Sequence, residues 1–176
     1  MKSRENINQW ISDTIIALNL CPFAKAPFEK GLIRVEVSNA KKFDDQFSFF
    51  LDELSEIQGL SKTDISNSII AYTDFKGDFL DFNDFVGSCE AILEELKLET
   101  IFQLVCFHPN FCFENTDPLD RINLVNRSPY PIIHILRFEE VELALQNIEE
   151  AKMINTRNEE TLNELSLERC KELFKL

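Results

Sequence analysis

The chain has 176 residues, of which 44% are hydrophobic and 28% charged, and its net charge at pH 7 is −13. This length suits a single domain over residues 1–176, which can bury a core without a metal or a disulfide. The negative field disfavours nucleic acid and anionic membranes as partners, because both carry phosphate groups.

Segments whose apolar residues have the spacing of a helix alternate along the chain with segments whose apolar residues have the spacing of a strand. The pattern predicts helices over 3–18, 43–57, 81–96, 139–149 and 158–174, and strands over 32–38, 68–73, 101–107 and 131–137. Thr156 and Glu159 have the spacing of a capping box for the last helix. We therefore expect an α+β fold, with one mixed four-stranded sheet covered by about five α-helices.

One connection in this prediction, residues 109–130, is unusually long and has no clear helix or strand pattern. Connections of this length are uncommon in compact domains and are usually functional or disordered. This one carries apolar residues such as Phe111 and Leu124. We expect it to be ordered and packed over the sheet.

The cysteines are odd in number and their spacing is not that of a zinc finger. The first residues lack the apolar core of a signal peptide, and no apolar run approaches membrane-spanning length. We therefore expect a cytoplasmic protein with reduced thiols. The five cysteines are Cys21, Cys89, Cys106, Cys112 and Cys170.

Both histidines lie at the edges of the segment between Phe107 and Arg137. His108 ends the third predicted strand and His134 lies inside the fourth. If these strands are antiparallel neighbours, the two rings come within one sheet's width of each other. Imidazoles so placed suit general acid or base catalysis. A buried, hydrogen-bonded structural histidine accounts for the same pattern equally well.

The basic residues of this segment are all arginines, and no lysine occurs between Lys97 and Lys152. Three arginines balance three acids there, so the segment is neutral in a strongly acidic chain. Arginine binds carboxylate and phosphate in a bidentate way, which favours a pocket for a small anion. The arginines would equally serve to pin the long loop through backbone carbonyls and Asp117 or Asp120. The residues counted are Arg121, Arg127, Arg137, Glu114, Asp117 and Asp120.

Residues 126–131 read Asn-Arg-Ser-Pro-Tyr-Pro. The two prolines stiffen this turn, so it would hold Arg127 and Tyr130 in fixed directions. These two side chains are therefore candidate ligand-binding groups.

Cys21 stands before Pro22, and its chemistry depends on the helix to which it belongs. If Pro22 opens a new helical turn, a Cys21 thiolate is stabilised. If Cys21 instead ends the first helix, its pKa rises. A buried, inert thiol is the commoner case.

A metal site is a weaker alternative for the same region. The ligand types are suitable for a transition metal, but their spacing matches no zinc motif. We therefore assign no metal ligand and no cofactor. The residues considered are Cys106, His108, Cys112 and His134.

Several motifs together resemble the family called domain of unknown function 1415. They are residues 19–24 (Asn-Leu-Cys-Pro-Phe-Ala), 107–109 (Phe-His-Pro), 126–131 with His134, Leu136 and Arg137, and the pair Arg157-Asn158. The resemblance covers nearly the whole chain but implies no particular activity. It marks as characteristic positions Cys21, His108, Asn126, Arg127, Tyr130, His134, Arg137, Arg157 and Asn158. The pattern usually has an acid directly after Arg137, where this chain has Phe138 followed by Glu139.

Since the motifs lie near both ends of the chain, the predicted site draws on both ends. The first hypothesis is a small-molecule enzyme, with His108, His134 or Cys21 as catalytic groups. Its anionic substrate would be held by Arg127 and Arg137, together with the other matched positions Asn126, Tyr130, Arg157 and Asn158. The second hypothesis is a non-catalytic module that binds a small anion or a protein partner, and the third is a metal-binding protein.

Overall fold

A computed structural model describes residues 2–21, 23–139 and 148–174 of the chain. The fold is α+β, with a single mixed sheet of four strands in the order β1-β2-β4-β3. Strands β1 and β2 are parallel, whereas β4 runs antiparallel to both of its neighbours. The strands are β1 Ile33–Ser38, β2 Asn67–Tyr72, β3 Phe102–Phe107 and β4 Ile132–Arg137. All four predicted strands and their mixed pairing are confirmed.

Helices and helical turns connect these strands. The first helix changes from α to π geometry after Trp10 and continues as a π-helix over Ile11–Ile16. A 3-10 helix over Arg121–Asn126 interrupts the long connection between β3 and β4. The α-helices described are α1 Lys2–Trp10, α2 Lys25–Glu29, α3 Phe43–Gly59, α4 Phe79–Glu95, α5 Ile148–Glu164 and α6 Leu167–Phe174.

The sheet separates two apolar clusters because alternate residues of each strand point to opposite faces. Helices α3 and α4 cover one face, where Phe50, Phe82 and Ile133 are buried. The first helix, α5 and α6 contribute to the cluster on the other face, in which Ile132 and Leu162 are fully buried. The long connection packs onto the protein as expected, with Phe111 and Leu124 buried.

The C-terminal helices differ from the prediction. Helix α5 runs through residue 158 without a break, so the helix start and the capping box at Thr156 and Glu159 were predicted wrongly. Helix α5 ends instead at Glu164, and α6 begins at Leu167 after a short connection that includes Ser166. The short helix α2 was also missed, because five residues are too few for an apolar period to show. Most of the helix predicted over 139–149 lies outside the described residues.

None of the helices in the described ranges is both long enough and apolar enough to cross a membrane.

Candidate functional site

The two histidines lie on opposite faces of the sheet. Strands β3 and β4 are antiparallel neighbours, as predicted, and Val105 pairs with His134 in their register. His108 follows Val105 by three residues, so alternation directs its side chain to the other face. The sheet therefore separates the two imidazoles, and they do not form one catalytic pair.

His108 is held on the face covered by α4. Its ring centroid lies 5.5 Å from that of Phe79 and 5.7 Å from that of Phe82, and the residue is only 4% exposed. The Asn110 amide donates to Nδ1 over 3.1 Å, so the neutral ring carries its proton on Nε2. Burial lowers the pKa of His108, and the charge of Asp78 partly opposes that change.

His134 is held on the opposite face by a different partner. Its Nε2 lies 2.8 Å from Oδ1 of Asn67 on β2. Because that oxygen can only accept, Nε2 carries the proton and Nδ1 is left as an acceptor. Burial lowers the pKa of His134 to about 4, so the ring is neutral at pH 7.

The Asn-Arg-Ser-Pro-Tyr-Pro turn fastens the end of β3 to the first helix. Asn126 donates through Nδ2 to the carbonyl of Cys106 and accepts the amide of His108 at its own carbonyl. The indole of Trp10 donates to the Arg127 carbonyl over 3.1 Å. The Asn6 amide donates to the Tyr130 hydroxyl over the same distance. Asn126 and Tyr130 thus make contacts that hold the fold.

The loop arginines bind backbone carbonyls. Arg127 donates to the carbonyl of Pro118 over 2.9 Å and to that of Phe111 over 3.4 Å, which pins the long connection. Arg121 donates to three carbonyls at the end of α5, including that of Leu162. Pinning through carbonyls was one of the two interpretations left open by the sequence, and it is the arrangement seen.

Arg137 caps the end of α3 from the last position of β4. Its Nη2 lies 2.8 Å from the carbonyls of both Ile57 and Leu60. The family pattern usually has an acid directly after Arg137, but in this chain the acid stands one position later, as Glu139. Glu139 forms an ion pair with Lys62 and not with Arg137. Backbone carbonyls therefore orient Arg137 in this chain, and an acid is not needed.

Cys21, Arg157 and Asn158 do come together. Asn158 is 2% exposed and donates to the carbonyl of Leu20, while Arg157 donates through Nη2 to the carbonyl of Asn19. These carbonyls are turned toward α5 because Asn19 adopts a left-handed backbone conformation with φ 52°. Segments near the two ends of the chain thus meet beside Cys21.

The electrostatics of Cys21 reflect this placement. Burial raises the pKa of its thiol above the ordinary value. Hydrogen bonds from the amides of Phe23 and Ala24 and the charge of Arg157 oppose that rise. Among the described residues, the buried Nε of Arg157 has no hydrogen-bond partner. The cluster therefore contains the half-buried thiol of Cys21, the backbone amides of Phe23 and Ala24, and the guanidinium of Arg157, whose Nε has no acceptor among the described residues.

Within the described ranges, no group of three or more His, Cys, Asp and Glu side chains is placed to hold a metal. His108 and His134 cannot share an ion from opposite faces of the sheet. Cys112 instead lies within hydrogen-bond distance of the carbonyls of Phe113 and Thr116.

The sequence interpretation missed a cleft of about 260 Å³ between the first helix, α6 and the proline-rich turn. Polar residues of the first helix point into it with helical spacing, namely Asn6, Gln9 and Asp13. That polar stripe was a signal in the sequence, but a solvated helix face shows the same pattern. The other lining residues are Trp10, Thr14, Ala17, Ser128, Pro129, Arg169, Glu172, Leu173 and Phe174.

The fold and these contacts define an α+β protein whose single sheet is flanked by polar clusters that join the two ends of the chain. The chain belongs to the family described as Protein of unknown function (DUF1415), whose model matches residues 2–172. No curated protein and no solved structure matches it.

Proposed function

We propose that this protein binds a small anionic ligand, such as a phosphate or a carboxylate, at the Cys21–Arg157 cluster. The observation that carries the proposal is the buried Nε of Arg157, which no acceptor among the described residues satisfies. A buried guanidinium donor without a partner costs about 1–3 kcal/mol or more, and an anion supplies the missing acceptor.

The neighbouring groups support the same ligand chemistry. The Ala24 amide donates to the Cys21 carbonyl over 3.2 Å. The amides of Phe23 and Ala24 lower the pKa of the Cys21 thiol, because their partial positive charge favours a negative atom nearby. Arg127 and Arg137 were equal candidates in the sequence, but both donate to backbone carbonyls. Arg157 also donates to a carbonyl, that of Asn19, but its buried Nε has no partner among the described residues, so it is the best-supported anion-binding group of the predicted set.

The test is a titration with inorganic phosphate at low ionic strength, followed by the amide NMR shifts of the full chain. We expect saturable shifts at Cys21, Phe23 and Ala24. Arg157→Gln should weaken binding about tenfold or more, since a hydrogen bond to a charged group contributes about 1.5–3 kcal/mol. Arg4→Gln is the matched control, because it removes the same charge from an exposed ion pair with Glu36.

Equal loss of binding in both arginine variants would mean that phosphate senses only the general field of the protein. Shifts that do not saturate would also reject the proposal. Circular dichroism of each variant separates a binding defect from unfolding, because Arg157 also holds the carbonyl of Asn19.

A second candidate function is an enzyme in which His134 acts as general base. It is favoured by the neutral imidazole, whose Nδ1 remains an acceptor once Nε2 is bonded to Asn67. In the same phosphate titration, unchanged binding by His134→Gln is expected under either function. If His134→Gln abolishes phosphate binding, His134 belongs to the ligand site itself.

We place this function in the cytoplasm as part of the proposal. All five cysteines are free thiols, which agrees with a reducing compartment. The net charge of −13 disfavours nucleic acid and anionic membranes, whose many phosphate groups it repels more strongly than it repels one small anion.

A further inference from the structure

The cleft beside the proline-rich turn is separate from the Cys21–Arg157 cluster and differs from it in charge. Its charged side chains are Asp13, Arg169 and Glu172, which sum to −1. Arg169 is already engaged, since its Nη1 lies 2.6 Å from the Glu172 carboxylate. This pair also occupies Glu172, so Asp13 is the carboxylate of the cleft that forms no ion pair with the described residues.

The Asp13 carboxylate is fixed for such a role. The Ser12 hydroxyl donates to its Oδ1 over 2.7 Å, which holds the side chain in one direction. This bond and one to Gln9 lower the pKa of Asp13, and the charge of Arg169 adds to the effect. Asp13 is thus ionised throughout the neutral range and faces an open cleft.

The walls of the cleft are mixed in polarity. Trp10, Leu173 and Phe174 provide apolar surface, and Asn6 and Ser128 provide neutral polar groups. A volume of about 260 Å³ lies below the range of about 300–1,000 Å³ that is usual for drug-sized ligands. The cleft fits a small molecule with one charged end and a short carbon chain.

The backbone beside the cleft is itself unusual. Asp13 and Thr14 belong to the π-helix, in which the Ala17 amide reaches back five residues to the Ser12 carbonyl. π-helical turns are rare in proteins and occur frequently at functional sites. The facing wall is Ser128-Pro129, part of the most specific motif in the chain.

We propose that this cleft binds a small organic amine, with its ammonium group against Asp13 and its carbon chain against Trp10 and Phe174. A cation is favoured twice, by the net charge of −1 of the cleft and by the net charge of −13 of the whole chain. An anion is repelled on both counts, so the phosphate site and the amine site take ligands of opposite charge.

The chain carries its own reporter for this test, because its one tryptophan is Trp10. The full chain is titrated with butylamine at low ionic strength while Trp10 fluorescence and the amide shifts of Asp13 and Ser128 are followed. We expect a saturable change in both signals. The neutral analogue 1-butanol should produce none.

Asp13→Asn should weaken butylamine binding about tenfold, as loss of one charge-assisted contact predicts. Glu172→Gln should also weaken it, because the Arg169 cation in the cleft then has no ion-pair partner there. Both positions are exposed, so the variants should keep the fold. Asp44→Asn is the matched control, since it removes the same charge from an exposed position in the first turn of α3. Arg157→Gln should leave butylamine binding unchanged.

Three results would overturn the proposal. Equal weakening by Asp44→Asn would show that the amine follows the overall field. Binding of 1-butanol with an affinity similar to that of butylamine would show that charge has no role. A wild-type titration without saturation or without shifts at Asp13 and Ser128 would remove the site itself.

Discussion

Replacing Arg137 with methionine separates a structural role from a ligand-binding role for this side chain. Methionine keeps most of the aliphatic stem but removes the guanidinium that bonds to the carbonyls of Ile57 and Leu60, each at 2.8 Å. Two further contacts to the Ile65 carbonyl are long, at 3.4 Å, and add little. The guanidinium carbon also lies 5.7 Å from the centre of the Phe102 ring.

The expected loss follows from these contacts. Each short bond from a charged donor to a carbonyl is worth about 1.5 kcal/mol at the lower end of its range, because Arg137 is only partly buried. Two such bonds give a loss of about 3 kcal/mol in the free energy of unfolding. In a chain of this size that corresponds to a fall in Tm of about 6–12 °C.

Urea unfolding followed by circular dichroism and by Trp10 fluorescence measures this loss. Arg4→Met is the control, because its exposed ion pair with Glu36 is worth about 1 kcal/mol at most. If Arg137→Met costs less than about 1 kcal/mol and also abolishes phosphate binding, the capping argument is refuted. Arg137 would then be a ligand-binding residue, as the sequence first suggested.

Two further predictions concern titratable groups. Burial lowers the folded pKa of His134 to about 4, below its ordinary value, so the unfolded chain binds more protons between these pH values. The contribution of His134 to the free energy of unfolding is complete above about pH 6.5 and is lost as the pH falls toward 4, by up to about 3 kcal/mol. In urea unfolding, the free energy of unfolding of His134→Gln should therefore depend less on pH than that of the wild type. An identical pH slope in the wild type and the variant would contradict this. Arg157→Gln should slow alkylation of Cys21 by iodoacetamide at pH 8, because the charge of Arg157 lowers the Cys21 pKa. Cys106, whose pKa is raised by burial to about 12, serves as the internal control in the peptide mass spectra. An equal rate of Cys21 alkylation in the wild type and in Arg157→Gln would count against an effect of Arg157 on Cys21.

Local patterns were sufficient to predict most of the fold. All four strands were found, because short segments that alternate apolar with polar residues, as β1 does, or that are mostly apolar, as the others are, are typical of strands and are too short for most helices. Helices α3 and α4 were found because their apolar stripes repeat over 17 residues each. The first helix was predicted as a helix, but its π geometry was not, since a π segment has no apolar period that distinguishes it in six residues.

The candidate site was predicted less completely. The motifs identified Cys21, Arg157 and Asn158 as members of one set, and the structure places them together. They also grouped His108 with His134, because both lie near the same loop. In the structure the two histidines lie on opposite faces of the sheet, because Val105 pairs with His134 and His108 stands three residues after Val105.

The sequence by itself determined the residue types and the local periods, and with them the strands, most helices, the acidic surface and the family. It also left two roles open for the arginines of the long loop, which could bind an anion or pin the loop. Only the tertiary structure showed the carbonyls to which they donate, because these contacts depend on which carbonyls the fold leaves without partners. The end of α3 and the long loop leave such carbonyls beside Arg137 and Arg127, whereas Arg157 is left with an unused donor next to Cys21.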